Sequence, residues 1–141
     1  MDRLFLEKKI STLAEKISKL GNLVAGRDAD EIRRDEMRMD AIERNFQLSV
    51  DLMVDINTHI IKAGNLGTVD DFQSTFIMLG DSRVLDKDFA TRVAPIVGAR
   101  NMLVHRYEKL DKDLFLKNLK NNFSDFKTYI SQINEYLKKS A

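Results

Sequence analysis

Apolar residues recur along this chain at alternating steps of three and four. Leu6, Ile10, Leu13, Ile17, Leu20 and Val24 form the first stripe, and Leu116, Leu119, Phe123, Phe126, Ile130, Ile133 and Leu137 the last. Steps of that size return to one face of a helix, so each stripe predicts an amphipathic helix packing through one side. Gly21 and Gly26 mark the end of the first. A second long stripe runs through Ile32, Met39, Ile42, Phe46, Val50, Met53, Ile56, Ile60 and Ile61. It predicts a helix of roughly 30 residues, capped by Asp28 or Asp30, with a bend or break along its length left open. The charges over residues 27–45 mix both signs, which suits a solvated helix face better than a polyanion-binding arm.

After a loop at 63–67, Thr68 with Asp71 three residues on resembles a capping box opening a third helix. That helix holds Phe72, Phe76, Ile77 and Leu79 and stops near Gly80. Asp86 is a cap for a fourth helix carrying Phe89, Val93, Ile96, Val97, Leu103, Val104 and Leu110, and Asp111 caps the last. Pro95 lies inside the fourth helix, where a missing N–H and a clashing ring kink the rod. No run alternates with period two. The predicted fold class is all-α, an up-and-down bundle of four to five helices built by one domain over residues 1–141.

Composition narrows the chemistry. One proline and six glycines in 141 residues fit a helical chain, and 43% hydrophobic with 32% charged residues fits a globular one. A formal charge of +1 argues against a broad basic surface while leaving room for a local basic cleft. The absence of cysteine removes disulfides, thiolate nucleophiles, iron–sulfur clusters and cysteine zinc sites. Two histidines, His59 and His105, leave little for an imidazole metal site, so no metal and no cofactor is expected. No window has the apolar length a bilayer demands, and the amino terminus shows no cleavage signal. A cytoplasmic protein without membrane contact is the expectation.

The unusual chemistry sits at residues 98–107. Asn101 and His105 are four apart and share a helix face; Arg100 and Tyr107 are seven apart and share a neighbouring one. Gly98 and Ala99, just before, are small enough for another backbone to approach. The group reads either as a polar seam between helices or as a catalytic constellation. Phosphodiester cleavage is chemistry that needs an arginine, an amide and an imidazole without metal or thiolate. Histidine titrates near neutrality and moves a proton. Arginine holds a phosphate and stabilises charge developing on it. An RNA 2′-hydroxyl supplies the nucleophile internally. Arg100 and His105 are nevertheless about 140° apart around an ideal helix. A bent helix, or a second copy across a twofold axis, would close the site. Asp55 and His59, four apart on the second helix, read as a surface or inter-helix polar contact, with a place in a functional cleft as the alternative.

The run Arg100-Asn101-Met102-Leu103-Val104-His105-Arg106-Tyr107 resembles the Arg-x4-His-x-Tyr signature of the HepT-like toxins in the HEPN superfamily. The helical layout resembles that family over nearly the whole chain. The resemblance implies a metal-independent endoribonuclease acting as the toxin of a type II toxin–antitoxin pair. It implies a homodimer with Arg100 and His105 as catalytic residues in an interface cleft and Asn101 beside them. It also implies a minimal nucleotidyltransferase antitoxin that transfers AMP to Tyr107. The alternative within the superfamily is a non-catalytic HEPN binding module, a substrate-binding or partner subunit of a nucleotidyltransferase.

Overall fold

The computed structural model describes residues 1–140. Its helices are α1 (Arg3–Val24), α2 (Ala29–Arg34), α3 (Glu36–Ala63), α4 (Phe72–Asp81), α5 (Lys87–Val93), α6 (Ile96–His105) and α7 (Lys112–Lys139), with a 3-10 turn at Tyr107–Lys109. Among the described residues there is no strand. Two of the five expected rods are each divided, which accounts for the larger number. The second breaks at Asp35, whose extended backbone (φ −98°, ψ 91°) ends α2 while its carboxylate accepts the Arg38 N–H to start α3. The fourth divides at Ala94-Pro95 into α5 and α6.

Aspartate starts nearly every helix. Asp2, Asp28, Asp35, Asp71, Asp86 and Asp111 each accept the amide N–H three residues on, satisfying a donor that the helix itself leaves unbonded. Asp28, not Asp30, therefore caps the second rod. The third helix opens at Asp71 rather than Thr68, because the loop before it passes through positive φ at Asn65 (51°) and Gly67 (147°) and Asp71 reaches Ser74 N–H at 2.7 Å. α6 alone begins without a side-chain cap, at Pro95.

Side-chain contacts fix the directions. Arg3 donates to the Leu137 carbonyl, Lys9 pairs with Asp55 and Arg38 donates to the Leu23 carbonyl, so α1 runs antiparallel to both α3 and α7. Arg100 meets Asp51 and Tyr107 meets Glu43, so the α6 segment is antiparallel to α3. The order α1, α3, α5–α6, α7 alternates in direction, as the up-and-down reading expects. All three expected long stripes pack against one contiguous core, with Leu6, Leu13, Leu20, Ile42, Phe46, Met53, Phe126 and Ile133 fully enclosed. Phe46 packs edge-on against Phe115 (5.0 Å) and Phe126 (6.1 Å). The core contains one polar network: Tyr129 O–H donates to the Met53 carbonyl and to Asn57 Oδ1, and Asn57 donates to Thr75 Oγ1. Fully paired, such groups pin the relative register of α3, α4 and α7.

Candidate functional site

α6 begins directly after an interruption of the fourth rod at Ala94-Pro95. Ala94 and Pro95 keep right-handed helical dihedrals, and Val97 and Gly98 bond back three residues to Ala94 and Pro95. A proline at a helix start gives up only an N–H that would have no intrahelical partner. α6 packs on both α3 and α4, and Arg100 lies over α3. Its Nε donates to Asp51 Oδ1 at 2.8 Å, its Nη1 to Asn101 Oδ1 at 3.1 Å, and its guanidinium stands 5.5 Å from the centre of the Phe72 ring. With a side chain only 15% exposed, Arg100 is held on three sides yet keeps donors for a ligand.

Arg100, Asn101 and His105 line a single open cleft of about 630 Å³, together with Phe72, Gln73, Ser74 and Ile77 from α4. Despite the angular gap that the ideal helix predicts, all three residues border one concavity within one chain. His105 is the last residue of α6 and is exposed. An adjoining cleft of about 700 Å³ shares Arg100 and Phe72 and is lined by Asp51, Asp55, His59 and Lys62 as well. Asp55 and His59 do not pair with each other. Asp55 binds Lys9 at 3.2 Å, while His59 accepts the Asp2 N–H at 3.2 Å and stacks on Phe5 at 4.7 Å. They are inter-helix ties between α1 and α3 that also border this second cleft. Among the described residues no group of three or more His, Asp or Glu side chains is gathered as for a metal ion, and no helix is long and apolar enough to cross a membrane.

Tyr107 lies elsewhere. The fourth rod, expected to continue to Leu110, ends at His105, and Arg106 (φ −140°, ψ 43°) turns the chain into the 3-10 segment. The seven-residue spacing to Arg100 therefore does not put Tyr107 on a helix face beside it. Its phenol instead turns toward α3 and donates to both Glu43 oxygens, at 2.9 and 3.1 Å. Lys112 from α7 stands 3.9 Å from Glu43 and 5.2 Å from the centre of the Tyr107 ring. Burial pushes the Glu43 carboxyl above the ordinary carboxylate range, against the opposing pull of Tyr107 and Lys112. Tyr107 and Glu43 in turn hold the Lys112 ammonium's pKa up.

Glu43 and Asp51 are the site residues that the stripe analysis overlooks. Glu43 was legible in principle, because Met39, Glu43, Phe46, Val50 and Met53 make an unbroken four–three alternation, placing a carboxylate on the buried face. Asp51 carries no such signal.

The sequence profile described as ribonuclease HepT-like matches residues 13–133. The chain belongs to the HepT-like ribonuclease family. It is 34% identical over 95 residues to the tRNA nuclease HepT of Aphanizomenon flos-aquae, an alignment covering 67% of this chain and 65% of that protein. To the mRNA nuclease HepT of Shewanella oneidensis it is 24% identical over 125 residues, covering 89% of this chain and 92% of that one. Its fold superposes with a TM-score of 0.85 on the tri-AMPylated Shewanella oneidensis HEPN toxin in complex with MNT antitoxin, at 23% identity over 96% of this chain and 99% of that one. The HEPN-like fold that the resemblance implies is thereby established.

Proposed function

We propose that this chain is an endoribonuclease toxin whose catalytic residues are Arg100 and His105, with Asn101 positioning the arginine. The observation that carries the reading is the shared cleft: a fixed guanidinium and an exposed imidazole open onto one concavity in a HepT-like ribonuclease. In the proposed reaction the RNA 2′-hydroxyl attacks the adjacent phosphorus and the 5′-oxygen leaves, giving a cyclic phosphate without a metal-bound water. His105 moves the proton and Arg100 holds the phosphoryl oxygens as charge builds on them.

The same imidazole then returns the proton to the leaving 5′-oxygen, and the reading takes the acting unit to be a homodimer. A Cβ added at Gly98 would meet no other segment within 4 Å, and Phe72, Ile77 and Val104 are exposed apolar side chains on α4 and α6. These features support docking of a second copy along α6. The reading takes residues 1–141 as one HEPN-like domain working in the cytoplasm. A nucleotidyltransferase antitoxin silences the enzyme by adenylylating Tyr107, a half-exposed phenol close to the cleft in sequence. Added phosphates would repel RNA and block its approach.

The test is cleavage of labelled RNA with chelator present. Arg100→Ala and His105→Ala should each abolish cutting and relieve growth inhibition while the dimer persists in scattering measurements. Either variant cutting at the wild-type rate refutes the assignment. Intact mass after co-expression with the neighbouring nucleotidyltransferase should show AMP that Tyr107→Phe loses.

A further inference from the structure

Glu43 is a buried ionisable group for which RNA cleavage has no use. It is 9% exposed on α3, flanked by the buried Met39, Ile42 and Phe46. A carboxylate in such surroundings is costly unless its oxygens are bonded. Both are bonded by one donor, the hydroxyl of Tyr107, which comes from the turn 64 residues later. Tyr107 as a whole residue is 42% exposed. The hydroxyl is thus held by a part-buried carboxylate in a residue that keeps a large share of its surface open to solvent.

We propose that Glu43 is the proton acceptor for adenylylation of Tyr107, so that the toxin supplies part of the chemistry of its own silencing. The inference rests on the reading that Tyr107 is the modified residue. In the step, Tyr107 Oη attacks the α-phosphorus of an adenine nucleoside triphosphate held by the partner. The Oη–P bond forms, the bond from that phosphorus to the pyrophosphate oxygen breaks with its electron pair, and the hydroxyl proton passes to Glu43 and then to solvent. A neutral phenol attacks poorly until its proton is leaving, and a positioned base typically contributes about 10²–10⁴-fold. The groups facing Glu43 are Tyr107 from the 3-10 turn, Lys112 from α7 and Asp40 on its own helix. Lys112 also stands close enough to offset negative charge developing on the phenol oxygen.

The experiment follows AMP transfer by intact mass in complexes of the full chain with its neighbouring nucleotidyltransferase and magnesium ATP. A His105→Ala background permits expression. Glu43→Gln keeps an oxygen that accepts the hydroxyl but cannot take its proton. Transfer should slow by about 10²-fold or more, the KM for ATP should hold, and the acidic limb of the rate–pH profile should disappear. Glu43→Asp should recover part of the rate. A Glu43→Gln complex that transfers at the unsubstituted rate with its acidic limb intact overturns the inference. If that variant fails to assemble, the unsubstituted profile still decides, because a rate without an acidic limb overturns it as well. AMP retained on Tyr107→Phe would overturn the parent reading, and this inference with it.

Discussion

Replacing Asp51 by alanine removes the acceptor that holds Arg100 Nε at 2.8 Å. Two unit charges about 4 Å apart attract by roughly 1 kcal/mol in water and roughly 4 kcal/mol at an effective dielectric near 20. The two side chains are 15% and 32% exposed, so the pair lies between those limits, with its wetter end screened. About 1–2 kcal/mol of orientation is therefore at stake, and if all of it is felt in the transition state kcat/KM falls about 5- to 30-fold. Asp51→Asn keeps an acceptor oxygen without the charge and should fall between. The assay is initial-rate cleavage of a labelled RNA, with melting temperature as the folding control. An Asp51→Ala enzyme as fast as wild type or faster would refute the reasoning. It would mean that the carboxylate competes with the phosphate instead of aiming the arginine.

Three further outcomes follow from the packing. Tyr129→Phe leaves the fully buried Asn57 oxygen without its donor and should cost about 1–3 kcal/mol in urea unfolding; a change within error would mean that water replaces the hydroxyl. Gly80→Ala ordinarily helps a helix by about 1 kcal/mol. Here a Cβ would stand 2.6 Å from the Ala90 Cβ, so α4 and α5 must separate and the melting temperature should fall instead. The raised Glu43 pKa has a defined sign: between the ordinary glutamate value and the raised one the folded state binds more protons, so this group's contribution to stability declines as pH rises through that window. Glu43→Gln removes the dependence, and its melting temperature relative to wild type should climb as pH rises above the ordinary glutamate range; a constant difference would argue against burial as the cause.

The apolar periodicity determined the helices, because a 3.6-residue repeat must put its stripe against something, and the stripes of α1, α3 and α7 are the observed core. Aspartates at 28, 86 and 111 announced helix starts for the same local reason, a carboxylate one residue before the first turn. The spacing of Arg100, Asn101 and His105 marked the candidate cleft. What sequence could not decide were matters settled by contacts between distant segments. Whether Asp35 or Pro95 divides a rod depends on what each half packs against. Asp55 and His59 look like partners at four residues apart, but α1 lies closer to each than they lie to one another. Tyr107 left the helix face because the rod ends at His105, and its hydroxyl met Glu43 because antiparallel α3 brings residue 43 alongside. Local free energies set the helices; the pairing of one buried carboxylate with one phenol needed the whole bundle.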